Sequence, residues 1–228
     1  MKHITRLFAL ALLSGFALLT AGCGDDDHRA QLRVVHASPD APNVDVLVDS
    51  KIVLTDVPYE AASKYLTVKA GSRKIEVRAT GGSADVISAS APLTTNKAYT
   101  VLAVDFLANI TPLILTDDNT PPSSGQIKLR LVHASPSAGP VDIYVEPPGT
   151  DINTVSPTLT NVPFKAASDY LAVAAGSYEV FITPTGSKTV AIDSGSITIA
   201  AGAIRTAVAL DAPGGGTPLT AVVLDDLN

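Results

Sequence analysis

Two short stretches hold the residues best suited to chemistry. His36-Ala37-Ser38-Pro39 and His133-Ala134-Ser135-Pro136 each set an imidazole two positions before a hydroxyl. An imidazole can ligate a metal or act as a general base, and a serine activated by a base can act as a nucleophile. Each Ser is followed by Pro, which confines it to an extended or turn conformation. A hydrolytic triad also needs a third group to orient the base and an oxyanion hole, and no G-x-S-x-G elbow occurs in the chain. The expected role of His36, Ser38, Pro39, His133, Ser135 and Pro136 is therefore structural: a strand-end imidazole satisfied by backbone groups of the turn that follows. Occurrence of the motif twice supports this, because a residue that shapes a fold is needed in every copy of it.

Other candidates are weaker. Asp45 and Asp142 are expected on the outward face of a strand, in surface pairing or turn hydrogen bonds. Tyr144 and Glu146 are expected outward as well. Asp117-Asp118-Asn119 and Asp225-Asp226 have carboxylates for calcium but lack the D-x-D-x-D-G spacing, so exposed acidic turns are expected. Beyond residue 23 the chain has three His and no Met or Cys, too few ligands for zinc, copper or haem, and no cofactor is expected. Gly214-Gly215-Gly216 lacks the Lys of a phosphate-binding loop. Lys69, Arg73, Lys74 and Arg78 surround an expected hairpin, read either as an anion or polysaccharide contact or as a solvated strand face tempered by Glu76.

The elements that carry these residues come in two copies. Leu32-Arg33-Val34-Val35-His36-Ala37-Ser38-Pro39 recurs as Leu129-Arg130-Leu131-Val132-His133-Ala134-Ser135-Pro136, 97 positions later. Val44-Asp45-Val46 recurs as Val141-Asp142-Ile143 at the same offset. Ala61-Ala62-Ser63, Tyr65-Leu66 and Ala70-Gly71-Ser72 recur at an offset of 105, the difference being a longer loop at Pro147–Thr154. The closing segments align as Asp117-Asp118 with Asp225-Asp226. Apolar residues alternate with a period of two, as in Val44, Val46 and Val48, and Gly-Ser, Gly-Gly, Pro and Asn punctuate the runs. No long stretch beyond the first residues keeps a helical period; Pro58–Ser63 has room for one helical turn at most. Seven or eight short strands per copy fit an all-β chain of two tandem immunoglobulin-like, Greek-key β-sandwich domains. The expected division is 31–118 and 127–228, with a linker at 119–126.

Lys2 and Arg6, the apolar run Leu7 to Leu19 and the small residues before Cys23 read as a bacterial export signal over 1–22. Its apolar run is too short to cross a bilayer. Leu19-Thr20-Ala21-Gly22-Cys23 resembles a lipobox, which implies acylation of Cys23 and a stable membrane anchor made of several acyl chains. Residues 23–30 read as an acidic tether. Gly24 after the Cys resembles the pattern that permits transfer to an outer membrane, so a periplasmic or surface-facing place in the cell envelope is expected. Without Lys2 and Arg6 the chain has 14 basic against 22 acidic side chains, a balance that excludes a nucleic-acid partner.

The pairing of R-(V/L)-V-H-A-S-P with V-D-(V/I)-x-V and a later Y-L-x-V-x-A-G-S, present twice, resembles the bacterial domain-of-unknown-function family DUF4397. The resemblance implies β-sandwich domains, often in tandem on exported or lipid-anchored proteins, and no chemistry. The expected function is a lipid-anchored, non-enzymatic envelope protein presenting two sandwiches for structural or adhesive contacts. Alternatives are a module for an envelope glycan or small ligand, and a periplasmic hydrolase. Only nine aromatics lie beyond residue 23, which counts against an aromatic-lined groove; exposed, coplanar Tyr59, Tyr144 or Tyr178 would favour a glycan.

Overall fold

A computed structural model describes residues 28–227; the export signal, Cys23 and most of the acidic tether lie outside the described residues. The described chain is sixteen strands with two short 3-10 turns, at Leu107–Asn109 and Ile152–Thr154. Among the described residues no helix is long and apolar enough to cross a membrane.

The first copy contains β1 (Arg29–Ala37), β2 (Val44–Val48), β3 (Lys51–Val57), β4 (Leu66–Lys69), β5 (Gly71–Ala79), β6 (Asp85–Leu93), β7 (Ala98–Val104) and β8 (Thr111–Asp117). They form two four-stranded sheets, ordered β4-β1-β7-β8 and β3-β2-β5-β6. The second copy repeats this with β9 (Gln126–His133), β10 (Val141–Glu146), β11 (Leu159–Val162), β12 (Leu171–Ala174), β13 (Gly176–Pro184), β14 (Ile192–Ile199), β15 (Ile204–Leu210) and β16 (Thr220–Asp225). Its sheets run β12-β9-β15-β16 and β11-β10-β13-β14. In both copies the first strand lies parallel to the seventh, β1 to β7 and β9 to β15, while all other pairings are antiparallel.

Arg29 and Ala30, read from the sequence as tether, already pair with Lys69 and Val68 in β1. A strand not foreseen, β3, follows β2 through a two-residue turn in which Asp49 and Ser50 both have positive φ, 50° and 64°. That is the backbone of a hairpin turn with a right-handed twist, made here without the Asn-Gly signal that advertises it. Pro58–Ser63 forms no helix. Its Ala61-Ala62-Ser63 end runs extended beside β1: His36 N donates to Ala61 O at 3.0 Å and Ser63 N to Val34 O at 2.8 Å.

Inner strands β1 and β9 are buried on both faces. Leu32 and Val34 point into the first sandwich, with Val46, Ile75, Val77 and Val101. The opposite row, Val35 and Ala37, joins Leu102 and Val104 and meets Val132, Ala134, Val208 and Leu210 of the second copy in one shared apolar cluster. The β4-β1-β7-β8 and β12-β9-β15-β16 sheets therefore pack face to face, and the molecule is a stack of two sandwiches with a third core between them. Leu102, fully buried at that middle layer, reports on it. Leu102→Ala is expected to cost about 2–5 kcal/mol, and calorimetry should show both copies unfolding in one transition at a lower temperature.

Candidate functional site

The middle layer carries a buried polar network built from a residue that the sequence reading passed over. Arg33 occupies the same strand as Val35 and shares its parity, so its side chain enters the layer between the copies. It is 2% exposed. Its Nη2 reaches Asp226 Oδ1 of the other copy at 2.5 Å, its Nη1 donates to Asp225 O at 2.9 Å, and Nε and Nη2 both reach Thr100 Oγ1. Arg130 mirrors this: Nη2 to Asp117 Oδ1 at 2.6 Å, Nη1 to Thr116 O at 3.2 Å and Nε to Thr206 Oγ1 at 3.1 Å. Each carboxylate is then closed by its own copy. Thr100 and the Tyr65 hydroxyl donate to Asp117, while Thr206 and the Tyr170 hydroxyl donate to Asp226. Each guanidinium also lies over a ring, Arg33 on Tyr65 and Arg130 on Tyr170, both 4.7 Å from the centroid.

The exchange is isologous: the arginine of each copy pairs with the aspartate of the other, which is the signature of a two-fold interface. It corrects two expectations. Asp117 and Asp226 are buried, not exposed acidic turns, and they are each other's counterparts. Tyr99 pairs with Thr116 where Arg205 pairs with Asp225, so the tandem aspartates align one position out of the sequence register. Burial and the neighbouring carboxylates push the Tyr65 and Tyr170 hydroxyls well above the ordinary tyrosine range, keeping them as donors.

His36 and His133 stand on the other face of the same strands, 0% and 1% exposed. Nε2 of His36 lies 3.0 Å from Pro42 O and Nδ1 accepts from Ser38 N at 3.4 Å; His133 repeats this with Gly139 O and Ser135 N. Nδ1 as acceptor makes Nε2–H the donor. Tyr59 and Phe164 pack edge-on against the two rings at 5.9 and 6.1 Å. Both ring nitrogens of each imidazole thus face backbone groups. Burial holds both imidazoles below the usual histidine pKa.

The two serines differ. Ser135 Oγ donates to the buried Asp211 in a short hydrogen bond, whereas Ser38 Oγ is buried without a partner among the described residues. The position matching Asp211 is Asp105, and its carboxylate instead takes Lys165 of the other copy at 2.8 Å. Pro39 O accepts from Gly214 N at 2.7 Å. A Cβ on the neighbouring Gly215 would come within 2.6 Å of the Phe106 ring, which explains one of the three adjacent glycines.

Asp45 and Asp142 are clamps. Asp45 accepts from Asp56 N at 2.9 Å and Gly81 N at 3.3 Å. Asp142 accepts from Asn161 N at 2.8 Å and Gly186 N at 2.9 Å. Asp56 and Asn161 are left-handed residues at φ 54° and 53°, so the aspartate holds a strained position of the neighbouring strand. The donor from Asp56 lowers the pKa of Asp45; burial raises that of Asp142, but its backbone donors outweigh it and the result is low. Asp142 is not outward in the sense of exposed, being 5% accessible, and Tyr144 is 1% accessible. The longer loop folds over Tyr144, placing Ile152 on it and on Phe181 as a fourth small core.

Three of the four basic residues of the first copy's cluster, all but Lys69, have an acidic partner. Arg73 pairs with Asp49 at 2.9 Å, Lys74 with Glu76 at 2.6 Å, and Arg78 with Asp85. Tyr59, half-buried, donates to Asp211 O at 2.8 Å, and Tyr178, also half-buried, to Ala174 O at 2.6 Å. Among the described residues no three His, Cys, Asp or Glu side chains converge as a metal site.

Two grooves flank the network along the seam. One, of about 630 Å³, is walled by Gln31, Lys64, Tyr65 and Asp225, and its two-fold counterpart, of about 490 Å³, by Lys128, Asp169, Tyr170 and Thr116.

These features define a class: a protein of two β-sandwiches locked face to face by reciprocal charge pairs and bearing a twice-repeated strand-end histidine. The chain belongs to the family described as domain of unknown function DUF4397, whose profile matches residues 30–144 and 148–228. No curated protein matches. Among solved structures, it is similar to a family 26 carbohydrate-binding module of Eubacterium rectale seen with maltoheptaose, at 8% identity and TM-score 0.27, covering 87% of this chain and 98% of that one. It is similar to an α-glucan-binding streptococcal virulence factor at 11% identity and TM-score 0.24, covering 74% and 88%. A candidate adhesin of Bacteroides ovatus matches at 11% identity and TM-score 0.25, covering 89% and 96%.

The lowered histidine pKa sets a sign for pH dependence. On unfolding each imidazole regains its ordinary pKa near 6.5, so the unfolded chain binds more protons below that pH. The stability from keeping both rings neutral is present above about pH 6.5 and is lost as pH falls further. Urea unfolding at pH 7.5 and 5.5 should show lower stability at 5.5. His36→Ala is expected to cost about 1–3 kcal/mol at pH 7.5 and to reduce the pH dependence.

Proposed function

We propose that this chain is a non-enzymatic display protein of the bacterial cell envelope, anchored by lipid on Cys23 and presenting its double sandwich for structural or adhesive contacts. The observation that carries the reading is where the repeated motif spends its functional groups. Imidazole nitrogens, guanidinium N–H groups and the Asp117 and Asp226 carboxylates all end on partners inside the molecule, the imidazoles within their own copy and the guanidinium–carboxylate pairs across the seam. What the body offers outward is its loops, its outer sheets and the two seam grooves. An acylated residue 23, only a few positions before β1 at Arg29, would hold that body close to the bilayer, and two or more acyl chains suffice for a stable anchor.

A second reading, binding of an envelope glycan or small ligand, draws on the same grooves. Each has a tyrosine in its wall, Tyr65 in one and Tyr170 in the other.

The test has two parts. Cells expressing the wild-type chain should incorporate an alkyne-tagged fatty acid into it and keep it in the membrane fraction, and Cys23→Ser should abolish labelling and release it. A photo-cross-linking residue at Lys64, on the groove wall, should give a discrete protein adduct in cells. Membrane retention of Cys23→Ser would contradict the anchor. Adduct formation with polysaccharide alone would replace the first reading with the second.

A further inference from the structure

The two copies differ inside their sandwiches at several matching positions. In the first copy Leu32 of β1 pairs with Tyr99 of β7 and Val34 with Val101; the matching pairs of the second copy are Leu129 with Arg205 and Leu131 with Ala207. Likewise Ile75 of β5 is replaced by Val180 of β13, since Val48 pairs with the one and Val145 with the other. Tyr99 is 6% exposed, with Val101 at 2% and Ile75 at 1%, all in one closed core. Its hydroxyl accepts from Thr94 N at 3.0 Å and seals the end of that sandwich.

Arg205 in place of the phenol ring, Ala207 in place of Val101 and Val180 in place of Ile75 remove apolar volume at three positions. Leu131, Ile143, Ile182 and Ile197 are larger than the matching Val34, Val46, Val77 and Ala91, so the second core is redistributed and a polar head stands where the first has a ring. The second sandwich stands open along its β14 and β16 edge. A cleft of about 220 Å³ enters there, lined by Val180, Ile197, Ile199, Ala207 and Val223, with Tyr178 and Arg205 also in its wall. It shares Val180, Ile197, Ala207 and Val223 with a small apolar void of about 40 Å³ deeper between the sheets. Val223 is left 51% exposed. Half-exposed Ile and Val side chains between the two layers of a sandwich are costly unless something covers them. A cavity of roughly 150 Å³ with such a lining holds benzene, so this one is large enough for a short acyl chain.

Arg205 fixes the other end of the ligand. A guanidinium has five N–H groups; here Nε pairs with Asp225 at 2.9 Å and Nη1 donates to Ile204 O at 3.1 Å. The Asp225 side chain is 81% exposed, so that pair sits in water and holds the guanidinium weakly. A carboxylate or phosphate can engage the fork bidentately.

We propose that the second sandwich binds a single-chain anionic amphiphile, its tail in the cleft between β13–β14 and β15–β16 and its head on Arg205. The site lies between the sheets of the second copy and adjoins one seam groove, with which it shares Val223 and the Asp225 partner of Arg205, but neither the anchor nor the display role proposed above is needed for it. Calorimetric titration of the full chain carrying Cys23→Ser, which removes any competing acyl group of its own, with sodium decanoate should give saturable binding at one site. Affinity should rise about fourfold per methylene from hexanoate to decanoate, and decanol should bind at least tenfold more weakly. Arg205→Gln should bring decanoate down to decanol. Ala207→Val, which fills the cleft floor and leaves the guanidinium in place, should weaken both ligands about tenfold. Arg205→Tyr, which restores the plug of the first copy, should abolish binding, with circular dichroism confirming the fold of each variant. No saturable binding by the parent chain, or decanoate affinity unchanged in both Ala207→Val and Arg205→Tyr, would overturn the site. Equal affinity for decanol and decanoate in the parent chain would overturn the assignment of the head to Arg205.

Discussion

Everything in this molecule depends on a strand that cannot be solvated on either face. β1 and β9 direct Leu32 and Leu129 into their own sandwiches and Val35 and Val132 out of them, and amid that second apolar row each carries one arginine. A buried guanidinium needs a fixed counter-charge, because removing an ion from water costs several kcal/mol even after relaxation. The counter-charge is built only at the end of β8 or β16 of the other copy. Neither sandwich can therefore bury its inner sheet alone, and the one surface that complements it in both shape and charge is a second version of itself. A buried ion pair contributes little net stability compared with apolar packing. Its role here is to fix register: a slip of one residue would move Arg33 off Asp226 and turn Val35 out of the shared core.

With the seam fixed, the outer sheets are free to diverge, and they do. The first copy covers its outer sheet with alternating charges, Arg73 on Asp49 and Lys74 on Glu76. The second replaces Glu76 by Phe181 in the same strand register, and the added loop closes over Tyr144 and Phe181 with Lys188 Nζ 4.6 Å above the Tyr144 ring. The same asymmetry runs inward, where Tyr99 closes one sandwich and Arg205 leaves the other open. Both copies hold the seam equally, through one arginine and one aspartate each, so the divergence is confined to the surfaces and interiors that the seam does not use.

Much of this was legible in the residues. The repeat, the period-two alternation and the turn signals lead to two β-sandwiches because each is a local property, and the chemistry of His36 follows from a polar ring at the end of an apolar row. Where sequence reasoning fell short, the cause was long-range. Tyr144 has outward parity, yet a loop further along the chain buries it, and Asp142 is buried where it accepts from Asn161 N and Gly186 N. β3 was missed because Asp49-Ser50 makes a left-handed turn with residues that rarely advertise one. Arg33 was the informative omission. A charge inside Leu-Arg-Val-Val-His-Ala, with apolar residues on both parities, signals a strand covered on both faces, and its partner lies 193 positions away. Of the residues that complete the network, Tyr65 and Tyr170 were visible as a repeat and the aspartates were aligned one position out, while the match of Thr100 with Thr206 and the reciprocal pairing emerge only from the strand register and the contact of the two copies.

The most direct test of this account is a double-mutant cycle across the seam, comparing Arg33→Met, Asp226→Leu and the two together by urea unfolding. Each single change leaves an unpaired charge buried, and about 3–5 kcal/mol should be lost each time. The double variant, with both charges gone, should recover most of that loss, giving a coupling of at least about 2 kcal/mol. Losses that simply add would mean that residues 33 and 226 do not meet in the folded protein, and the two-fold seam would have to be abandoned.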